Sequence, residues 1–186
     1  EEHLMTMAAG MAAGGLRPFV FIYSTFLQRA MDQLVHDIAM QNLPVVCAVD
    51  RAGLIGEDGE THQGVLDVSW GRSIPNMAIL APRDADDLDL MFRNALRRTG
   101  PTMIRYSRGV APQSLCRSHT PVNVDHIGPD LLFKGEEWAL IGYGPMLPIL
   151  LEARTMAMNQ GLPAPTVVDL RQIKPLDEAA LSRVLL

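Results

Sequence analysis

A chain of 186 residues that is 48% hydrophobic can bury one substantial core, or one domain and part of another, and is too apolar for intrinsic disorder. Its formal net charge of −5, with arginines dispersed among acidic residues and no basic tract, gives no nucleic-acid footprint. No apolar stretch approaches the roughly 20 residues of a membrane-spanning helix, so neither a nucleic acid nor a membrane is expected as a partner.

The chain opens on Glu1-Glu2-His3, without methionine or a signal-peptide pattern. That reads as a cut inside a longer protein, or as a processed product. Residues 4–14, rich in Ala, Gly and Met, predict a helix packed closely on a sheet, with Gly10 and Gly14 letting the backbones approach. Residues 18–23 form a continuous apolar strand of the buried type. Thr25 is placed to cap the next helix, where Phe26, Ala30, Leu34 and Ile38 recur at helical spacing and His36 and Asp37 form a polar face. Residues 44–49 are the next strand, and Cys47 within it reads as a small buried hydrophobe. The chain has two cysteines, Cys47 and Cys116, and no Cys/His spacing of a metal site. A reduced, cytosolic setting is the simpler reading, with a Cys47–Cys116 pair as the alternative.

Residues 51–64 form a long Gly-rich loop without apolar periodicity, and such loops inside compact α/β domains are more often functional than idle. A strand over 76–81 leads into a helix whose first turn carries Asp84, Asp86 and Asp87. A strand over 102–106 closes this unit. Residues 110–137, with Pro, Ser, His and Asp and weak periodicity, read as a linker. The alternation restarts with a strand at 138–143, a helix at 146–160, a strand at 166–170 and a helical start at Asp177. Apolar runs alternating with amphipathic ones predict an α/β fold on a parallel sheet.

Polar residues gather in three places. Glu1, Glu2 and His3 stand at the start. Tyr23, Ser24, Thr25 and Arg29 stand at a strand-to-helix junction. Arg51, Asp58, Thr61 and His62 lie in the long loop, echoed by Arg105 and Arg108. In a parallel sheet these positions fall near the carboxyl ends of strands, where open α/β sheets bind ligands. Several arginines facing one cleft would suit a phosphorylated substrate. Taken singly, each residue also has a plain alternative: a solvated loop histidine at His62, a surface arginine at Arg29, a core ring at Phe26 and a mere terminus at Glu1.

The run Tyr23-Ser24-Thr25-Phe26-Leu27-Gln28-Arg29-Ala30, then Asp32-Gln33 and His36-Asp37, resembles the pyrimidine-domain signature of the 1-deoxy-D-xylulose-5-phosphate synthases, transketolase-like thiamine-diphosphate enzymes. So do Asp50-Arg51-Ala52-Gly53, the block Asp58-Gly59-Glu60-Thr61-His62-Gln63-Gly64, and Arg105-Tyr106-Ser107-Arg108-Gly109, in matching order and spacing. Asp169-Leu170-Arg171 and Lys174-Pro175-Leu176-Asp177 extend the likeness nearly to the end, and Glu1-Glu2-His3 resembles the family's block that starts with its catalytic glutamate. The resemblance implies a pyrimidine-binding domain over 1–109 lacking its first strand, a linker over 110–137 and a partial transketolase C-terminal domain over 138–186.

It also implies decarboxylating condensation of pyruvate with glyceraldehyde 3-phosphate, with thiamine diphosphate and Mg²⁺. The product would feed isoprenoid, thiamine and pyridoxal synthesis, in a cytoplasmic (or plastid) homodimer. By resemblance, Glu1 bonds a ring nitrogen of the cofactor's aminopyrimidine and Phe26 stacks on that ring. Tyr23, Arg29 and Arg108 hold the acceptor phosphate with Arg51 and Asp58 nearby, and His62 exchanges protons with the reacting oxygens. The family's Gly-Asp-Gly metal and diphosphate motif belongs to a preceding domain and has no match here. No residue of this chain is therefore assigned to the metal, and the chain alone is expected to be inactive. The rival readings are a transketolase, a pyruvate dehydrogenase β-subunit, and a non-catalytic assembly remnant.

Overall fold

The computed structural model describes residues 1–111, 114–115 and 125–185, so Cys116 and any pairing it makes lie outside the described residues. In chain order, α1 (Glu2–Ala13) precedes β1 (Phe19–Tyr23). A broken helical segment follows, made of α2 (Ser24–Leu27), a 3₁₀ turn (Gln28–Ala30), α3 (Met31–Gln33) and a π-helical stretch (Leu34–Ala39). Next come β2 (Val46–Asp50), a loop with 3₁₀ turns at Gly56–Asp58 and Glu60–His62, α4 (Asp67–Gly71), β3 (Ala78–Leu80), α5 (Ala85–Ala95) and β4 (Thr102–Arg105). The second part contains β5 (Asp130–Phe133), β6 (Ala139–Gly142), α6 (Leu147–Asn159), β7 (Thr166–Asp169), β8 (Gln172–Lys174) and α7 (Glu178–Leu185).

The first sheet runs in the order β1-β2-β4-β3-β8; its first four strands are parallel and β8 is antiparallel to β3. The fold is thus the parallel α/β type that the alternating pattern predicts. Helices cover both faces, and each central strand splits its side chains between them. Cys47, Val49, Met103 and Ile79 pack with Met5, Ala8, Leu27, Leu34 and Ile38 on one side. Val46, Ile104 and Leu80 pack with Leu90, Met91 and Ala95 on the other. Full burial of each large side chain is worth roughly 1.5–3 kcal/mol. Burial pushes the Cys47 thiol up to about 12, which makes it an inert core group. No helix among the described residues is long and apolar enough to cross a membrane.

Several expectations are corrected. Gly10 and Gly14 are exposed and mediate no close approach; Ala8, Ala9 and Ala12 do so, because they lie on the buried stripe of α1. Thr25 is no cap, since helix begins at Ser24; its hydroxyl instead donates to the Thr61 carbonyl at 3.0 Å. The helix containing Phe26 is not continuous but passes through 3₁₀ and π geometry, which rotates the faces of its successive turns. The span read as a linker, 110–137, contains β5, which pairs antiparallel with β7 in the second sheet, ordered β5-β7-β6. Four residues after Gly128 and Pro129 are too short a run to give a periodic signal. Two short elements, α4 and β8, were not expected at all. β8 owes its place to docking on β3, a non-local partner.

A buried exchange of arginines joins the two sheets. Arg83, between β3 and α5, donates from Nη1 to Asp130 at 2.8 Å and to Asp169 at 3.1 Å. In return Arg171, after β7, donates from Nε and Nη2 to Asp87 Oδ1 at 3.0 and 2.6 Å. Asp87 was expected to act only as a first-turn charge. It is buried as this arginine's partner, while Asp84 caps α5 by accepting from the Asp87 N–H. Burial, opposed by Arg83, pushes the Asp169 carboxyl up to about 7. A carboxyl raised in the folded state contributes stability at low pH that is lost as pH rises through that value. Thermal melts of wild type and Asp169→Asn from pH 5 to pH 8 should therefore show wild type's margin shrinking as pH rises. A margin independent of pH would contradict the assignment.

Candidate active site

The carboxyl ends of β1, β2 and β4 converge with the loop over 51–64. This loop is closed at its neck by paired backbone bonds between Gly53 and Gly64, at 2.8 and 2.9 Å. Only glycine fits at 64, because a Cβ there would run into the Arg51 carbonyl oxygen and the Ser24 side chain. Inside the loop Gln63 acts as a three-point clamp. Its amide nitrogen donates to the Ile55 and Gly59 carbonyls at 2.5 and 2.7 Å, and its oxygen accepts from the Ile55 N–H at 2.6 Å. Ile55 is buried and anchors the tip, whereas Leu54 beside it is 83% exposed.

Tyr23 ends β1 and Phe26 lies three residues on, in α2. Their rings stack with centroids 5.6 Å apart and an interplanar angle of 15°. His62 meets Phe26 edge-on at 5.2 Å and Tyr23 at 6.4 Å. Guanidinium groups flank this cluster: Arg51 lies 3.8 Å over Tyr23 and Arg29 lies 4.9 Å over Phe26. The Thr61 hydroxyl and His62 Nδ1 are 2.9 Å apart, which fixes the ring's orientation. Beside this cluster, Glu1, Leu4, Phe21, Ile22, Tyr23 and Phe26 line an open groove of about 290 Å³.

The charges form a shared network. Asp58 accepts from Arg51 Nε at 2.5 Å and from Arg108 Nη1 at 2.7 Å. Arg51 also bonds Asp50 at 2.9 Å, and Arg108 pairs with Glu57 at 3.1 Å. Arg51 sits in the left-handed region at φ 56°, a conformation uncommon outside glycine, and its N–H donates to Asp50 Oδ1 at 2.6 Å. Arg29 reaches Glu1 at 3.2 Å. The hydrogen bond from Arg51, then Arg108 and the other nearby charges, hold the Asp58 carboxyl below the usual carboxylate range against the effect of burial. Among the described residues no group of three His, Cys, Asp or Glu side chains could hold a metal ion.

The residues singled out in the sequence thus assemble in one place: Glu1, Tyr23, Phe26, Arg29, Arg51, Asp58, His62 and Arg108. Arg105 does not join them. It turns inward to a buried pair with Asp67 at 2.8 Å, because its strand residue faces the core while Arg108 lies beyond the strand end. Glu57, Asp50 and Gln63 belong to the site and were missed as participants. The loop's density of polar residues pointed towards Glu57 and Gln63, and Asp50 and Gln63 stand in the blocks that carry the resemblance, without a role.

A parallel α/β sheet with stacked rings and a histidine at its strand ends, and an acidic residue at the start of the adjoining helix, is the arrangement expected of a transketolase-like module. Residues 1–113 match the family described as transketolase, pyrimidine binding domain, and residues 130–185 match transketolase, C-terminal domain. The chain belongs to the transketolase pyrimidine-binding family. It is 48% identical over 185 residues to a protein of Carboxydothermus hydrogenoformans named 1-deoxy-D-xylulose-5-phosphate synthase, covering 99% of this chain and 29% of that protein. A protein of the same name from Hamiltonella defensa is 46% identical over 177 residues, 95% of this chain and 27% of its own length. The chain therefore spans less than a third of the relatives it matches. Among solved structures, a split-gene transketolase described as an inactive β4 tetramer superposes with a TM-score of 0.85 at 28% identity, over 99% of this chain and 58% of its own. A Campylobacter jejuni transketolase superposes at 0.87 and 23% identity, over 100% of this chain and 30% of its own, and attests the fold.

Asp58 is the shared anchor of the loop. A carboxyl held low gives an anchor that is complete above the ordinary carboxylate range and is lost as pH falls through its lowered value. Asp58→Asn leaves one of the two guanidinium groups facing an amide donor. Amide hydrogen exchange over residues 55–63 should accelerate about ten-fold, with β2 unchanged. Unaltered exchange in the loop would contradict the anchoring role.

Proposed function

We propose that this chain is the pyrimidine-side part of a 1-deoxy-D-xylulose-5-phosphate synthase. Such an enzyme condenses pyruvate with glyceraldehyde 3-phosphate and releases carbon dioxide, on the way to isoprenoid precursors, thiamine and pyridoxal. The observation that carries the reading is the assembly of Glu1, Phe26 and His62 with a tyrosine and three arginines at one end of the sheet. Relatives of that name at 44–48% identity across 99% of the chain support the synthase over a transketolase or a pyruvate dehydrogenase β-subunit.

The residues present fit half of the cofactor. A carboxylate and an aromatic face beside an open groove suit a flat nitrogen heterocycle such as the aminopyrimidine of thiamine diphosphate. Thiamine diphosphate supplies carbanion chemistry that no side chain can. Glu1 would bond a ring nitrogen and hold a proton there, and Phe26 would stack on the ring's face and shield it from water. Tyr23, Arg29, Arg51 and Arg108 bind the acceptor phosphate, with Asp58 orienting the last two. His62 exchanges protons with the reacting oxygens, and its Thr61 contact holds it at one angle.

Mg²⁺ and the diphosphate are held by residues outside this chain, in a preceding domain of a cytoplasmic (or plastid) homodimer. On its own the chain is inactive, a reading in keeping with the inactive tetramer of the split-gene transketolase. The reading of a non-catalytic remnant is disfavoured by the joint retention of Glu1, Tyr23, Phe26, Arg29 and His62.

The test is product analysis of the full-length protein with pyruvate, glyceraldehyde 3-phosphate, thiamine diphosphate and Mg²⁺. Equal amounts of carbon dioxide and 1-deoxy-D-xylulose 5-phosphate are expected. Glu1→Gln and His62→Asn should each lower kcat by about 10²–10⁴-fold. A heptulose formed from ketose donors would overturn the assignment in favour of a transketolase.

A further inference from the structure

Glu1 and Phe26 are both already engaged, and by the same side chain. Arg29 stands in the 3₁₀ turn where the helix breaks, three residues beyond Phe26, a spacing that brings its guanidinium over the ring at 4.9 Å. The same guanidinium reaches Glu1 Oε1 at 3.2 Å. Glu1 occupies the N-cap position of α1 but makes no side-chain capping bond, so nothing else in the helix claims its carboxylate. A guanidinium is flat, nitrogen-edged and hydrogen-bond donating. It thus satisfies a carboxylate and an aromatic face together, as an aminopyrimidine does.

Resting on the reading of the site given above, we infer that Arg29 and the cofactor's aminopyrimidine compete for Glu1 and Phe26, so that cofactor binding transfers Arg29 to the acceptor phosphate. The neighbouring arginines explain why this transfer matters. Arg51 and Arg108 are both tied to Asp58, with Asp50 and Glu57 adding further negative charge. An incoming phosphate therefore meets guanidinium groups already paired with carboxylates. Displacing Arg29 from Glu1 frees one positive charge without breaking the Asp58 anchor. The Arg29 side chain is 59% exposed, so it can swing without disturbing the core. The result is positive coupling between cofactor and acceptor, and by linkage each tightens the other by the same factor.

The test is calorimetric titration of the full-length protein and of Arg29→Met with thiamine diphosphate and Mg²⁺, then with glycerol 3-phosphate as an unreactive acceptor mimic. Removing the competitor should tighten cofactor binding about five- to twenty-fold, the combined worth of an exposed cation–π contact and an exposed ion pair. In wild type, glycerol 3-phosphate should bind more tightly when the cofactor is present. In Arg29→Met its affinity should be weak and indifferent to the cofactor. Arg29→Gln, also uncharged, should repeat both results. Unchanged or weakened cofactor binding in both variants would overturn the competition, with the function intact. Failure of wild type to bind thiamine diphosphate would instead remove the reading of the site, and the competition with it.

Discussion

One carboxylate holds the site in register. Asp58 accepts from Arg51, at the end of β2, and from Arg108, beyond the end of β4, so a single side chain ties two strand ends to the loop between them. The consequences spread outward. Arg51, fixed by Asp58, lies over Tyr23; Tyr23 stacks on Phe26; Phe26 carries Arg29 and meets His62. The closed neck at Gly53 and Gly64 and the Gln63 clamp keep the loop short enough for Asp58 to reach both arginines. Charge-assisted bonds of this kind are stronger than neutral ones and directional. The aromatic and electrostatic layers meet at Arg51 over Tyr23 and at Arg29 over Phe26.

A second network keeps the strand ends themselves in place. Arg83 and Arg171 cross between the two parts of the chain in opposite directions, and β8 adds an antiparallel edge to the first sheet. Because β8 sits beside β3, it protects an edge that would otherwise expose unpaired backbone groups. Buried ion pairs of this sort are weak sources of net stability but are costly to break singly.

Much of this was legible in the sequence because the signals are local. Continuous apolar runs marked the buried strands, helical spacing at Ala30, Leu34 and Ile38 marked a core face, and the polar density of residues 51–64 marked the loop. What escaped depends on partners distant in the chain. β8 is three residues whose role exists only against β3, and β5 is four residues paired with β7. Arg105 and Arg108 look equivalent in sequence. Arg105 lies within β4 and turns to a buried aspartate, whereas Arg108, three residues on and beyond the strand end, reaches the site. The resemblance named the site's residues but not their pairing, and the pairing is what leaves Arg29 shared between Glu1 and Phe26.

The division of the cofactor site between this chain and residues outside it is tested most directly by calorimetry. The 186-residue chain and the full-length protein are titrated in parallel with thiamine diphosphate, with and without Mg²⁺. Mg²⁺-dependent binding is expected for the full-length protein and no detectable binding for the chain alone. Tight, Mg²⁺-dependent binding by the chain alone would contradict that division and require diphosphate ligands within these residues.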